Sequence, residues 1–387
     1  MTTALVNARV LTSHGLQSGF AVLVDHDRIT GLALPSDSRV RAAERHDLAG
    51  RYLLPGFIDC QVNGGGGVLL NDTPTVEGIR TIAAAHRRFG TTAMLPTLIS
   101  DTPEKMRAGI AAVDAAIEAG VSGILGIHLE GPFIAPARKG VHDAGFFRVP
   151  DARDVALASS LRRGVTLLTL APDRVPRATI EAFLAHGVIV SIGHTAADYA
   201  TVREALGVGV HGFTHLFNAM TPFGSREPGV VGAALEDAHS WCGIIVDGHH
   251  VAPASLRVAI AAKPRGKMFL VTDAMPPVGA DNPGYVLNGE TITVTDGICR
   301  TAAGVLAGSA LDMATAVRNS VELLGLPLDE AARMASTWPA DFLGLSATHG
   351  RIAAGYRADF TVLDDSLHVV ETWIGGQREE AASVMAA

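Results

Sequence analysis

Residues 188–218 read VIVSIGHTAADYATVREALGVGVHGFTHLFN, and this stretch is the strongest indication of the fold class. Two β-like apolar runs, Val188–His194 and Val210–His215, flank an Ala-rich stretch of helical character at Ala197–Leu206. A strand, a helix and a second strand in this order form the repeating unit of a parallel sheet. Each run ends in a histidine, so the stretch also predicts that metal-competent side chains collect at one edge of the sheet.

The same alternation continues on both sides of this stretch. Most of the apolar runs are followed by a predicted helix, as at Val76–Phe89, Pro103–Ala119, Pro176–His186 and Pro253–Ala262. The eight runs are Leu54–Cys60, Thr91–Thr97, Ile124–Glu130, Val165–Leu170, Val188–His194, Val210–His215, Cys242–Asp247 and Met268–Asp273. Eight strand–helix units in about 300 residues fit an α/β fold, the (β/α)8 TIM barrel. An open doubly wound sheet is the alternative, but eight consecutive units are more than most such sheets use.

Both ends of the chain are rich in β-like runs and are predicted to pair into one small β-sandwich domain. We place the N-terminal part of that domain at residues 1–51 and its C-terminal part at residues 350–380. The catalytic barrel then spans residues 52–349, with a flexible tail at residues 381–387. A β-like insert at residues 291–294 interrupts the barrel rhythm.

Composition excludes several classes of protein. The chain has 387 residues, of which 48% are hydrophobic, too many for a disordered chain. Its formal net charge is 31 − 39 = −8, which disfavours general binding to nucleic acid or to a membrane surface. Three widely spaced cysteines, no leader-like start and no apolar run near the roughly 20 residues of a membrane span predict a cytoplasmic protein. An anionic substrate remains compatible, because it needs only a local basic pocket.

Three of the apolar runs end in Glu130, His194 or His215, and the active site of a TIM barrel lies at such strand ends. One carboxylate and two imidazoles suit a catalytic Zn²⁺ with an open position for water. The spacings, 194 − 130 = 64 and 215 − 194 = 21, exclude a local finger-type site, so the fold must assemble this one. The alternative is three unrelated polar residues at strand ends, and their coincidence favours the metal.

Three further residues are candidates for chemistry. Asp273 ends the eighth run, where a carboxylate can take a proton from a metal-bound water and return it to a leaving group. Its alternative role is a helix N-cap, which the following Ala-Met-Pro-Pro disfavours. Arg226 lies on a Gly/Pro-rich loop and either grips a phosphate or is a solvated charge. His142 lies on the long loop after the third run, and by itself this position is uninformative.

Several motifs together resemble the N-acetylglucosamine-6-phosphate deacetylase family of the amidohydrolase superfamily. These motifs are Leu54–Asp59, His128–Phe133, Gly193–Thr195, Thr214–Met220, Gly224–Gly229, Asp247–Val251, Val271–Ala274 and Leu306–Ser309. The resemblance covers nearly the whole chain and is highly specific in combination. It implies hydrolysis of the acetamido group of N-acetyl-D-glucosamine 6-phosphate, which gives D-glucosamine 6-phosphate and acetate.

The resemblance also implies roles for single residues. Glu130, His194 and His215 would hold one divalent metal ion, and Asp273 would be the general base and then the acid. The catalytic His142 would hold the sugar or the acyl oxygen. The substrate-binding set would be Gln61, Asn63, His142, Asn218, Ala219, Arg226, His250 and Leu306. Arg226 and His250 are the candidates for a grip shared across a homodimer, and a one-residue shift would exchange His249 with His250.

The number of bound metal ions is predicted from the end of the first run, where this chain differs from the pattern of the superfamily. Many members of the superfamily carry His-x-His there for a second metal, whereas this chain has Gln61-Val62-Asn63. Amides bind Zn²⁺ poorly compared with imidazoles, so we expect one tight site and leave a weak second ion open. Zn²⁺ is the expected ion, and Fe²⁺, Co²⁺ and Mn²⁺ share such N/O sites.

Two other functions remain as alternatives. The first is an amidohydrolase that acts on a different N-acyl amino sugar or on a cyclic amide, for which the phosphate grip of Arg226 would be idle. The second is a non-enzymatic binder of amino-sugar phosphates. Such a binder has no use for a complete set of metal ligands and base.

Overall fold

An eight-stranded parallel sheet forms the centre of the structure, a computed structural model that describes residues 2–282 and 284–380. Its strands are β1 (Phe57–Val62), β2 (Thr91–Ile99), β3 (Gly126–Glu130), β4 (Val165–Leu170), β5 (Ile189–Ile192), β6 (Gly212–Phe213), β7 (Trp241–Ile244) and β8 (Met268–Leu270). Each strand pairs with its neighbours in chain order. A bridge between Val62 and Ala274 joins the two edges, and the Asp273 amide donates to the Gln61 carbonyl at 3.0 Å. The predicted TIM barrel is confirmed.

Helices follow the strands on the outside of the barrel. They are Val76–Arg87, Pro103–Glu118, Ala152–Ala158, Arg177–Ala185, Tyr199–Gly207, Gly229–Glu236, Pro253–Ala262, Met313–Glu322, Leu328–Ala335 and Thr337–Phe342. Local sequence explains where several of them begin. The side chains of Thr75, Thr102 and Asp198 each accept a backbone N–H of the first turn as N-caps. The helix predicted at Pro253–Ala262 coincides with the observed one.

Two further sheets come from the chain ends. The four-stranded sheet contains Thr3–Val6, Ala21–Asp25, Arg28–Ala33 and Glu44–Asp47. The six-stranded sheet contains Arg9–Thr12, Gly15–Gln17, Tyr52–Pro55, Phe360–Leu363, Val369–Ile374 and Gln377–Glu380. Leu5 and Val22 of the first sheet share a buried apolar cluster with Val10 and Phe360 of the second. The predicted β-sandwich from both termini is therefore confirmed, while its predicted boundaries stay predictions and the predicted tail at 381–387 lies outside the described residues.

The first predicted run, Leu54–Cys60, divides at Gly56. Residues before Gly56 belong to the six-stranded sheet, where Leu54 pairs with Thr361, and residues after it form β1. Only glycine fits at this junction, because a Cβ on Gly56 would lie 2.2 Å from the hydroxyl oxygen of Thr92. This junction attaches the sandwich directly to the first barrel strand.

Smaller elements line the rim of the barrel. After β1 comes a hairpin of Gly64–Gly65 and Val68–Leu69, and the loop after β3 carries the 3₁₀ turns Pro136–Arg138 and Ala144–Phe146. The predicted insert is a three-stranded antiparallel sheet of Tyr285–Leu287, Glu290–Thr295 and Ile298–Arg300. The short helix Ser38–Ala42 belongs to the terminal region. No helix within residues 2–282 and 284–380 is long and apolar enough to cross a membrane.

The close approach of β3 to β4 gives a test of barrel packing. A Cβ at Gly126, whose φ is +155°, would lie 1.9 Å from the Val165 carbonyl oxygen. We expect Gly126→Ala to lower the free energy of unfolding by about 3 kcal/mol, because the backbone of two paired strands must separate. Gly207→Ala is the control, since its Cβ would meet open space. Urea unfolding measures both variants, and equal stabilities would contradict the close packing.

Candidate functional site

Three side chains converge at the carboxyl ends of β3, β5 and β6. Glu130 Oε1 lies 3.2 Å from His194 Nε2 and 3.0 Å from His215 Nε2. The two Nε2 atoms lie 3.0 Å from each other. All three residues are buried. Burial opposes ionisation of Glu130, but contact with the imidazoles of His194 and His215 holds the pKa of Glu130 well below its usual range.

This arrangement fits a metal ion. His194 Nδ1 lies 2.9 Å from the Arg138 carbonyl, which can only accept, so Nδ1 carries the proton and Nε2 offers a lone pair. The two Nε2 atoms and Glu130 Oε1 lie 3.0–3.2 Å from one another, about the spacing of ligands around one small cation. The donor set suits Zn²⁺ and related divalent ions, and Glu130, His194 and His215 would hold the ion.

The backbone around this cluster is strained. His194, His215 and Asp273 have φ of +48°, +32° and +52°, and Phe217 and Ala219 are also in the left-handed region. Residues other than glycine rarely adopt this conformation, at a cost of about 1–3 kcal/mol each. Such strain persists only where the surrounding structure holds a residue in place, and five such residues lie at the strand ends after β5, β6 and β8.

Asp273 lies beside the cluster and is held by amides. Its Oδ1 accepts hydrogen bonds from Gln61 Nε2 at 3.1 Å and from Asn63 Nδ2 at 2.7 Å. Gln61 Nε2 also donates to Glu130 Oε1 at 3.1 Å. Burial, with the nearby charge of Glu130, raises the pKa of Asp273 to about 6. A carboxyl group with this pKa can exchange a proton near neutral pH.

His142 faces the cluster from the loop after β3. Its ring centroid lies 4.5 Å from that of His194. The Ser100 backbone N–H donates to His142 Nδ1 at 3.3 Å, and the Ser100 hydroxyl lies 2.8 Å from the same nitrogen. Because Nδ1 accepts, the proton of the neutral ring is on Nε2. Burial lowers the pKa of His142 to about 3, so the ring is a neutral donor.

His250, rather than His249, lines the site. Nδ1 of His250 lies 2.6 Å from Asp247 Oδ2, and the other carboxylate oxygen of Asp247 accepts the backbone N–H of both histidines. Although burial opposes ionisation, the contact with His250 lowers the pKa of Asp247 to about 2. His249 is exposed. The sequence alone left open which of these two neighbouring histidines faces the site, and in the structure His250 is the one that lines the cavity.

A cavity of about 580 Å³ connects these groups, a size typical of small-molecule sites. The predicted residues that line it are Asn63, Glu130, His142, His194, His215, Asn218, Ala219, His250, Asp273 and Leu306. Gln61 lies behind the wall, bonded to Glu130 and Asp273. Arg226 is exposed on its loop and is not part of the lining. The structure thus brings together eleven of the twelve predicted residues.

Two basic residues that sequence reasoning missed also line the cavity. Arg138 and Lys139 stand on the loop after β3, and Lys139 Nζ lies 3.4 Å from the His142 carbonyl. Their adjacent charges beside Gly140 were a usable signal for an anion grip. Ser100, which orients His142, had no comparable signal.

A second cavity of about 640 Å³ lies between the sandwich and the opposite end of the barrel. Of the three arginines that line it, Arg265 pairs with Glu330 and Arg351 with Asp341, whereas Arg333 donates to the Thr12 carbonyl. Among the described residues, the one group of side chains that could hold a metal ion lines the first cavity and not this one.

Known proteins resemble this chain over most of its length. A profile of the Amidohydrolase family matches residues 52–380. The N-acetylgalactosamine-6-phosphate deacetylase of Shewanella sp. is 43% identical over 96% of this chain and 94% of its own. The human N-acetylglucosamine-6-phosphate deacetylase is 38% identical over 88% of this chain and 86% of its own.

Solved structures of N-acetylglucosamine-6-phosphate deacetylases also resemble this chain. The N-acetylglucosamine-6-phosphate deacetylase of Pasteurella multocida superposes with a TM-score of 0.94 at 34% identity, over 98% of this chain and 100% of that one. A mutant of the Mycobacterium smegmatis enzyme in complex with N-acetyl-D-glucosamine 6-phosphate has a TM-score of 0.87 at 33% identity, over 98% of both chains.

Proposed function

The chain belongs to the amidohydrolase family, and from this membership we propose that it hydrolyses the acetamido group of N-acetyl-D-glucosamine 6-phosphate. The products are D-glucosamine 6-phosphate and acetate. One observation carries the proposal: the Glu130–His194–His215 cluster opens onto the same cavity as Asp273 and His142. A metal site, a carboxylate base and a neutral donor are the parts that amide hydrolysis needs.

The residues of the chain divide the chemistry between them. When bound, a divalent ion supplies electrophilic activation of the amide carbonyl and of water. His142 Nε2–H donates to the acyl oxygen and orients the carbonyl. Asp273 takes a proton from the attacking water, whose oxygen bonds to the acyl carbon. Asp273 then delivers that proton to the nitrogen as the C–N bond breaks.

The remaining cavity residues bind the sugar phosphate in this proposal. Asn218, the Ala219 backbone, His250 and Leu306 surround the sugar, Gln61 and Asn63 hold the Asp273 carboxylate beside it, and Arg226 grips the phosphate. Because Arg226 is exposed and does not line the cavity of its own chain, we propose that it acts on the neighbouring site of a homodimer. The proposal also takes Zn²⁺ as the ion and the cytoplasm as the compartment.

A second candidate substrate is the 4-epimer, N-acetyl-D-galactosamine 6-phosphate. The Shewanella relative, at 43% identity, carries that substrate in its name. The acetamido group and the phosphate are the same in both sugars, so the metal cluster and Asp273 serve either one. The orientation of one hydroxyl is the whole difference.

Acetate release by the purified protein tests the proposal directly. The assay uses both epimers, with metal-loaded and chelator-treated protein. We expect metal-dependent release from N-acetyl-D-glucosamine 6-phosphate, with the larger kcat/KM for this epimer. A larger value for the galactosamine epimer would change the named substrate. Folded, metal-loaded protein that releases no acetate from either sugar would refute the deacetylase, and tight binding without turnover would favour the sugar-phosphate binder.

The role of Arg226 gives a separate prediction. We expect Arg226→Ala to raise KM for the phosphorylated sugar about 30-fold, since a charged hydrogen bond contributes about 2 kcal/mol. Its kcat/KM for unphosphorylated N-acetylglucosamine should stay unchanged. Arg80→Ala is the control, because Arg80 is also an exposed arginine but lies on the helix Val76–Arg87. An equal loss on both sugars would show that Arg226 does not bind the phosphate.

A further inference from the structure

Two neutral side-chain amides donate hydrogen bonds to one carboxylate oxygen of Asp273. Gln61 Nε2 and Asn63 Nδ2 both donate to Oδ1, while Oδ2 accepts no hydrogen bond from the described residues. Both amide side chains are about 1% exposed. Building on the proposed function, we propose that Gln61 and Asn63 are positioning residues. They lock the Asp273 carboxylate in one orientation, with Oδ1 occupied and Oδ2 left to carry the proton.

The side-chain contacts are separate from those that hold the backbone. The Asp273 amide donates to the Gln61 carbonyl at 3.0 Å, and the Ser309 amide donates to the Asp273 carbonyl at 2.9 Å. The Asn63 amide donates to the Ala274 carbonyl at 2.9 Å. These bonds use main-chain atoms only, so replacing the Asn63 or Gln61 side chain leaves the connection between β1 and β8 in place.

The orientation of Asn63 indicates what its side chain is for. Its Oδ1 is buried and has no hydrogen-bond partner among the described residues. Turning the amide over would direct this oxygen at the Asp273 carboxylate, where two acceptors would repel. An unpaired buried acceptor is unfavourable for folding, so the side chain gives up one hydrogen bond while it holds Asp273.

The lock has a chemical consequence. The terminal torsion of an aspartate is broad, so a carboxylate without such contacts samples many orientations. Two donors on one oxygen make the two oxygens inequivalent before substrate arrives, which is pre-organisation. Gln61 also donates to Glu130, and so it sets the separation between the base and a metal-site carboxylate without adding charge.

Asn63→Leu tests the proposal, because leucine keeps the shape of asparagine and removes the donor. We expect kcat for acetate release to fall about 30-fold, with KM and bound metal unchanged. In the Asp273→Asn background the same substitution should cost nothing further, because Asn63 acts through Asp273. Asn319→Leu is the control: it removes the 2.8 Å donor bond of Asn319 to the Val246 carbonyl, and its kcat should stay within about twofold of wild type.

A crystal structure of metal-loaded Asn63→Leu gives a readout without turnover, and we expect the Asp273 carboxylate in more than one rotamer. Should this variant fail to fold, Asn63→Ser replaces it with the same expectations. If the wild type releases acetate and Asn63→Leu keeps its full kcat, the positioning role of Asn63 is wrong while the proposed function stands. An unchanged single rotamer of Asp273 in the variant would contradict the positioning role in the same way. If the wild type releases no acetate, the proposed function is refuted instead. The rotamers of Asp273 in the crystal structure of the variant then test the positioning role by themselves.

Discussion

Asp273→Asn is expected to lower kcat for acetate release by about 10³-fold or more, while metal and substrate still bind. The amide cannot take a proton from water, so both proton transfers lose their carrier. Asparagine tolerates the positive φ of +52° at this position, and its own oxygen can still accept from Gln61 and Asn63. Metal binding should persist, because the three ligand atoms come from other residues.

Single-turnover kinetics, isothermal titration with substrate and metal analysis measure these three properties separately. Asp296→Asn is a matched control, since Asp296 has a similar φ of +50° but is exposed in the insert. Its kcat should equal that of the wild type. Near-normal turnover in Asp273→Asn would remove Asp273 from the mechanism, and loss of the metal would make Asp273 a ligand rather than the base.

The strand ends could be predicted from sequence because they follow a local rule. Each apolar run that precedes Glu130, His194 or Asp273 is long enough to recognise, and the parallel barrel places all such ends on one face. The division at Gly56 could not be predicted in this way. It depends on contact with Thr92 of the neighbouring strand, which no pattern within residues 54–60 contains.

Side-chain partners were the part of the site that sequence could not supply. Gln61 and Asn63 were expected to bind substrate, whereas the structure shows their amide groups on Asp273, more than 200 positions away. Likewise, only the three-dimensional position of Asp247 distinguishes His250 from His249. Arg226 remains a prediction, because its expected contact requires a second copy of the chain.

Glu130→Gln is expected to weaken metal binding by at least about 10²-fold. Residues that only orient a ligand already change affinity 10- to 100-fold, and Glu130 would contact the ion itself. Glutamine is the same size as glutamate but offers a neutral oxygen. The two imidazoles of His194 and His215 would then have to hold a divalent cation without its one anionic partner.

The measurement is the rise in Tm on adding Zn²⁺ to chelator-treated protein, because an ion that binds only the folded state stabilises it by RT ln(1 + [L]/Kd). A 100-fold weaker site removes about 2.7 kcal/mol of that stabilisation at saturating metal. Comparing each variant with its own metal-free form removes effects of the substitution on folding. Glu118→Gln is the control: Glu118 is an exposed carboxylate paired with Arg163, and its metal-induced rise should match the wild type. If Glu130→Gln keeps the full rise and one bound ion, the metal is held elsewhere. The close approach of the two Nε2 atoms to Glu130 would then be a hydrogen-bonded cluster that positions Asp273, not a metal site.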